Sequence, residues 1–296
     1  MFYDRLPLLA GDFTQNPTRT VTLYDTEGTP LGPAVTYQNY YLKFNEQGNS
    51  IVPTGEKLGS TPYNVTWNAE FDQEFRPGVV GRVSYLASRT SNEFTVDPKL
   101  VSSTNGLLLL SNRGASRYHE LETTLRVRPR ASADINISYV QSAARGDLNT
   151  MSSVFVPYEQ PVIRPNLFAT LPTNIPHRLV TWGRFALPRQ FTVSPLLDWH
   201  SGFPYSSFDA LQNYVGPPND QRFPAFLSLD LQVTKQFRIP FVPWFRKHPL
   251  TGGVRVFNLT DHGNFRDVYS NVTSPYYGHY AGFQHRFFDV SLDILY

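Results

Sequence analysis

The sequence predicts an all-β chain whose strands run as an antiparallel up-and-down meander. Three observations predict it. Apolar residues recur at every second position in segment after segment. Short proline-bearing turns alternate with long irregular segments. No stretch approaches the roughly 20 apolar residues that a transmembrane helix needs, since "GLLLL" at 106–110 and "FVPWF" at 241–245 are the longest candidates.

The alternation is read most easily in the last segment, "QHRFFDVSLDILY". Phe288, Val290, Leu292, Ile294 and Tyr296 share one parity. Asp289, Ser291 and Asp293 share the other, with Phe287 and Leu295. Side chains of a strand point alternately to opposite faces, so one face is apolar and the other mostly polar. A water-soluble sheet explains this pattern, and so does a strand between lipid and a hydrated lumen. The same period recurs upstream. In "PYNVTWNAEFDQEF", Tyr63, Val65, Trp67, Ala69 and Phe71 oppose Asn64, Thr66, Asn68, Glu70 and Asp72. "HELETTLRV", "ADINISYV", "FTVSPLLDW" and "FLSLDLQVTKQF" repeat it, and none fits a helical period.

The connectors separate the two explanations. "RPGV" (76–79), "RPRA" (128–131) and "LPRQ" (187–190) are tight turns in which proline sets φ at a corner. "IPFVPWFRKHPL" (239–250) is a longer one. Between them lie long segments near 91–115, 142–175, 201–223 and 261–280, rich in Ser, Asn, Gly, Pro and Tyr. Compact soluble domains rarely carry several structureless loops longer than about 12–15 residues. Transmembrane barrels do, with short periplasmic turns and longer extracellular loops. Roughly nine to eleven strands are expected between residue 18 and Tyr296. Residues 1–60 are expected to hold an outer loop or strand region containing "RTVTLYD" and "VTYQNYYLKF", and residues 61–296 the membrane strands.

Composition narrows function by exclusion. The formal net charge is +2 and no basic run is present, so no nucleic-acid or anionic tract stands out. The absence of cysteine removes disulfides, Cys-ligated metals and Cys nucleophiles. Charged residues are 17% of the chain, below the roughly 25% usual for soluble domains. "MFYDRLPLLAGDF" has no leader pattern, which implies a cytoplasmic protein or a chain without its true N-terminus.

Several residue groups have the types that chemistry uses. Glu70, Asp72 and Glu74 are spaced i, i+2, i+4, which suits acid/base work but equally suits one lumen-lining strand face. The seven His residues, including His262, His279 and His285, follow no metal-ligand spacing. No glycine-rich phosphate loop or G-x-S-x-G occurs, so no catalytic residue, cofactor or metal is assigned and the chain is expected not to be an enzyme. Four glycosylation sequons, at Asn64, Asn136, Asn258 and Asn271, are read as chance. Phe203, Tyr205, Tyr276, Tyr277 and Tyr280 crowd two long loops, either to meet a ligand or to pack loop on loop, and the packing reading is preferred.

Longer strings carry a resemblance. "NRGASRYHELETTLRVRP" (112–129), "IPHRLVTWGRFALP" (175–188), "DWHSGFPYS" (198–206), "RFPAFLSLDLQVTKQFRIP" (222–240), "GGVRVFNLTDHGNFRDV" (252–268) and "SPYYGHYAGFQHRFFDVSLDILY" (274–296) resemble the barrel of Oar-like TonB-dependent receptors, which often carry a carboxypeptidase-regulatory-like domain. "FYDRLPL" (2–8) resembles an upstream strand end. The resemblance implies part of a 22-strand-type barrel whose lumen a plug fills. It implies an energised outer-membrane transporter for a large or scarce ligand that the sequence does not identify. Its partners would be outer-membrane lipid, the barrel-assembly machinery, a plug domain and TonB. Phe288, Val290, Leu292, Ile294 and Tyr296 would face lipid and form the assembly signal, while Glu70, Asp72, Asp289 and Asp293 would face the lumen. The chain is then expected to be a receptor fragment or truncated frame that aggregates when made alone. Two other readings stay open: a complete small barrel or porin of about 8–10 strands, whose first and last strands pair, and a soluble β-sandwich binding carbohydrate, with a dry core between two sheets.

Overall fold

The computed structural model describes residues 18–25, 27–41, 61–150, 164–239, 241, 244 and 248–294. Among the described residues sixteen strands are present: β1 (Thr18–Val21), β2 (Val35–Tyr41), β3 (Tyr63–Arg76), β4 (Val79–Leu100), β5 (Asn105–Arg130), β6 (Ala133–Asp147), β7 (Phe168–Thr170), β8 (His177–Leu187), β9 (Phe191–His200), β10 (Pro204–Tyr205), β11 (Gln221–Arg222), β12 (Phe226–Phe237), β13 (Leu250–Phe257), β14 (Asp267–Val268), β15 (Tyr280–Ala281) and β16 (Phe287–Ile294). Nine of them form one antiparallel wall in the order β3-β4-β5-β6-β8-β9-β12-β13-β16. Among the described residues no helix is long and apolar enough to cross a membrane.

Register makes the wall two-faced. Phe71, Val83, Thr123, Tyr139, Leu179, Trp199 and Leu227 are successive partners across seven strands. One position over, Asp72, Arg82, Thr124, Ser138, Val180, Asp198 and Ser228 are successive partners on the opposite face. A slip of one residue in any hairpin would exchange the faces of everything beyond it. Beyond β12 the pattern continues: Val254 pairs with Val290 on the apolar face, and Arg255 with Asp289 on the polar one.

Among the described residues nothing covers the apolar face. Phe71 is 64% exposed and Val290 75% exposed. The few buried apolar side chains, Tyr37, Val96, Leu108, Leu109, Ala144, Ala169 and Leu250, lie mostly near the long-loop end. A β-sandwich requires two inner faces about 10 Å apart sharing a core, and no second sheet faces this one among the described residues. The expectation for a complete small barrel fails too, because β3 pairs with β4 and β16 with β13, not with each other.

The turns gather at one end of the wall. Between β3 and β4, Pro77 and Gly78 form the corner, and Gly78 has φ +80°, as position i+2 of a type II turn requires. The expected "RPRA" turn is displaced. β5 continues through Pro129 to Arg130, with a register shift after Val127, and the turn falls on Ala131–Ser132. Pro129 lies in the irregular stretch of the ladder, where its missing N–H is tolerated. "LPRQ" closes as a 3-10 turn over Pro188–Gln190. On the outer face here, phenylalanine rings lie over glycines: Phe75 over Gly81, Phe185 over Gly183, and Phe237 against Gly252. Each ring covers backbone that a glycine leaves bare.

The opposite end differs from expectation in two respects. Residues 91–115 are not an irregular loop. β4 and β5 run on as a continuous ladder with a tip at 101–104, through shifts near Asn92 and Glu93, because this stretch pairs with itself from Thr95↔Ser111 to Leu100↔Gly106. The meander is also not wholly antiparallel. β5 extends past the end of β6, and β2 takes the vacated edge in parallel, Thr36↔Asn105 through Tyr41↔Leu110. Tyr37 lies over Gly106, where a Cβ would stand 2.5 Å from its ring.

Candidate functional site

The connections β6–β8, β9–β12 and β13–β16 meet at the long-loop end. The second holds the ladder Pro204↔Arg222 and Tyr205↔Gln221, and the third holds Asp267↔Ala281 and Val268↔Tyr280. Polar side chains pin the loops to the wall. Asn264 accepts from the Leu227 N–H at 2.9 Å and donates to the Leu227 carbonyl at 2.9 Å. Asn258 is 2% exposed, has φ +52°, and donates from Nδ2 to the His262 and Gln284 carbonyls at 2.8 and 3.2 Å. Asn174 accepts from the Ala144 N–H at 2.8 Å. Arg222 donates from Nη1 to the carbonyls of Asn174 (3.1 Å) and Gly202 (3.0 Å), and burial lowers its pKa.

The five loop aromatics named from the sequence separate into three groups. Tyr205 and Tyr280 come together, with ring centroids 6.5 Å apart, and both pack on Phe223 at 5.2 and 5.6 Å. Burial, with hydrogen bonding to Tyr280, pushes the Tyr205 phenol up to about 12. These rings join loop to loop. Tyr277 is tied to Ser207 by a 2.8 Å hydrogen bond, and Tyr276, 59% exposed, leans on Tyr269. Phe203, 43% exposed, borders a cavity.

That cavity is about 410 Å³ and lies between the β9–β12 and β13–β16 connections. Its floor is His200 stacked on Phe226, with centroids 4.7 Å apart and planes 6° apart. Both side chains belong to the polar-face register. Phe203 meets His200 edge-on at 5.4 Å. His200 Nδ1 is 2.8 Å from the Ser201 carbonyl, so that nitrogen carries the proton and Nε2 remains the acceptor. Across the cavity, Arg266 donates to Gln284 Oε1 at 3.0 Å. Gly202 is required by close approach, since a Cβ there would stand 1.8 Å from the Phe223 carbonyl oxygen. The result is an aromatic recess with a guanidinium, an amide and an imidazole at its rim, a size and lining suited to a small organic group. His200, Phe226, Arg266 and Gln284 went unrecognised in the sequence. His200 and Phe226 stand at strand ends and Arg266 and Gln284 in the β13–β16 connection, and only pairing shows that these positions converge.

The polar face of the wall is the other candidate surface. Glu70 and Asp72 lie on it with Arg82, which is 3.2 and 2.7 Å from them. Arg126 and Arg128 both reach Asp134 at 3.0 and 2.8 Å, and Arg178 reaches Asp198 at 2.8 Å. Asp289 is 3.8 Å from Arg255, and Asp293 pairs with Thr251 on the same face. Phe288, Val290, Leu292 and Ile294 are on the apolar face, and Tyr296 lies outside the described residues. His262 contacts Asn264 and His285 contacts Asp261, while His279 meets Tyr276. Among the described residues no three metal-ligating groups converge. The sequon residue Asn64 donates to Ser88 and Thr90 across the ladder, and Asn258 is buried.

No protein-family model and no curated protein matches the sequence. Solved structures do match. The outer membrane transporter YddB from Escherichia coli aligns at a TM-score of 0.54 and 16% identity, covering 79% of this chain and 32% of that one. The ferric enterobactin receptor of Pseudomonas aeruginosa aligns at 0.50 and 13%, covering 78% and 31%. The FrpB iron transporter from Neisseria meningitidis aligns at 0.50 and 9%, covering 78% and 31%. This chain therefore spans about a third of the length of these proteins, and at such identities the likeness is one of fold. Among the described residues the nine-stranded, two-faced wall has the fold of part of these outer-membrane proteins.

Proposed function

We propose that the chain is a barrel segment of an outer-membrane TonB-dependent receptor, of the Oar-like type that its strings resemble, and that its role is transport rather than catalysis. One observation carries the reading. Among the described residues an apolar face continuous across nine strands has no protein layer against it, while the opposite face carries cross-strand ion pairs. Lipid is the environment that such a face fits, and a hydrated lumen suits the other. In the complete receptor this segment would supply wall, lumen surface and outer loops, beside a plug and TonB contributed from elsewhere. Ligand capture would fall to the recess at His200, Phe203 and Phe226, at the outer rim of the lumen. The final strand, Phe288 to Tyr296, would be read by the assembly machinery.

Three tryptophans test the reading. Trp67 and Trp199 belong to the apolar register and Trp182 to the polar one. In the membrane-inserted full-length protein, brominated lipid should quench Trp67 and Trp199, and aqueous iodide should quench Trp182. Quenching in the reverse sense, or no lipid quenching at all, rejects the assignment.

A further inference from the structure

The apolar face ends, toward the long loops, in a row of like charges. Arg89 of β4 pairs in register with Arg117 of β5, and Arg117 with Arg145 of β6. All three are exposed. Like charges directly opposite on one sheet face repel, yet none of the three has an ion pair among the described residues. Arg117 and Arg145 share only the face of Phe168, at 6.0 and 5.8 Å. The same-face carboxylate two residues beyond Arg145 is Asp147, and it is already engaged. Its Oδ2 accepts from the Ala115 N–H at 2.6 Å and its Oδ1 from Asn166 Nδ2 at 2.7 Å.

The height of this row matters. Ten residues of β5 separate Arg117 from Val127, the apolar-face residue near the turn end. At ~3.3 Å per residue that is ~33 Å of strand, or ~23 Å vertically at a 45° tilt. An outer-membrane barrel's apolar band is about 25 Å tall. The arginines thus stand where hydrocarbon gives way to headgroups. Directly beside them a shallow groove of about 610 Å³ runs down the apolar face, lined by Tyr63, Val65, Trp67 and Tyr85 as well as Arg89 and Arg117.

Resting on the lipid-facing reading above, we propose that Arg89, Arg117 and Arg145 form a binding site for the phosphate of an anionic membrane lipid, whose acyl chain lies in the adjoining groove. Guanidinium forks match phosphate oxygens two at a time. A single phosphate between neighbouring arginines would relieve their mutual repulsion. The aromatic groove supplies what a free anion cannot use, so the occupant is a lipid rather than inorganic phosphate.

The test uses the full-length protein, relipidated in phosphatidylcholine containing phosphatidic acid, with retained lipid counted by mass spectrometry. Wild type should retain phosphatidic acid selectively. R117Q should lower retention about fivefold, and R89Q/R117Q/R145Q about fivefold for each charge removed. R76Q/R130Q/R189Q removes as much charge at the turn end and should retain it. A heat-dependent gel shift establishes that each variant is folded, and R117Q serves if the triple variant is not. Equal retention by R117Q and wild type, equal loss in the turn-end variant, or displacement by millimolar inorganic phosphate would each overturn the proposal. Lipid quenching of Trp67 separates two failures. Without it the membrane reading falls, and with it but without selective retention only this site does.

Discussion

Arg82 of β4 grips Asp72 of β3 with both arms of its guanidinium, Nε to Oδ1 at 2.7 Å and Nη2 to Oδ2 at 2.9 Å, while Nη1 stands 3.2 Å from Glu70. Two of the three carboxylates whose spacing suggested acid/base work, Glu70 and Asp72, are thus the acidic half of a cross-strand charge cluster with Arg82 on the wet face. All three side chains are 42–47% exposed, so water screens the cluster. Arg82→Ala should leave stability almost unchanged. On the other face the same kind of change is severe. Leu121→Arg, four residues from Arg117 and six from Val127 and so close to mid-bilayer, should cost ~2–4 kcal/mol, whereas Thr124→Arg on the wet face should cost much less. Urea unfolding of the membrane-inserted protein compares the two, and equal costs would contradict the face assignment.

Gly202→Ala addresses the recess. Its Cβ would meet the Phe223 backbone, at 1.8 Å from the oxygen and 2.4 Å from the carbon, and neither atom is the end of a flexible side chain. The β9–β12 connection has to shift, and Phe203 and the Arg222 bond to the Gly202 carbonyl shift with it. Ligand binding should fall at least tenfold, corresponding to the ~1.4 kcal/mol that a modest misfit costs, while the heat-dependent gel shift stays normal. Unaltered binding would remove the recess from the ligand path.

Asn258→Ala should loosen the β13–β16 connection. The substitution strands the His262 and Gln284 carbonyls and puts an alanine at φ +52°. A lost buried hydrogen bond costs ~1–3 kcal/mol and a left-handed alanine ~1–2. Asn258→Gly incurs the first cost without adding the second, and so should be milder. Hydrogen exchange over residues 258–286 reads both, and alanine no worse than glycine would show that backbone strain is unimportant there.

Two loop groups predict opposite pH limits. Burial favours the neutral phenol of Tyr205, so its contribution is whole below the ordinary value of 10.0 and is lost as pH rises toward about 12. Asp261 is held below the usual carboxylate range, first by the Arg286 N–H at 2.8 Å and then by His285. Its contribution is present above that range and is lost as pH falls through the depressed value. Phenolate absorbance should show a late-titrating component that Tyr205→Phe diminishes. Protease sensitivity at residues 261–286 should appear only in strong acid, and its appearance at pH 5 would rule out the Asp261 tether.

Much of the wall was legible because strand parity is a local property. Tyr63 to Phe71, Leu121 to Val127 and Phe288 to Ile294 each declare two faces by themselves. The outer hairpin was misjudged because Ser, Asn and Gly in residues 91–115 look like loop until Thr95 meets Ser111 across the ladder. The charged row at Arg89, Arg117 and Arg145 is invisible in one dimension, since its members are 28 residues apart and only register aligns them.

By itself the sequence determined the period of each strand, the positions of most turns and the absence of any apolar helix, because these depend on neighbours two to four residues away. The tertiary structure decided what a single strand cannot: that the oily parities add up to one uncovered face, that the two outermost wall strands do not meet, and that His200, Phe226 and Arg266 surround one recess. Those outcomes depend on hydrogen-bond register between segments far apart in the chain, where one residue of slip would have turned every face the other way.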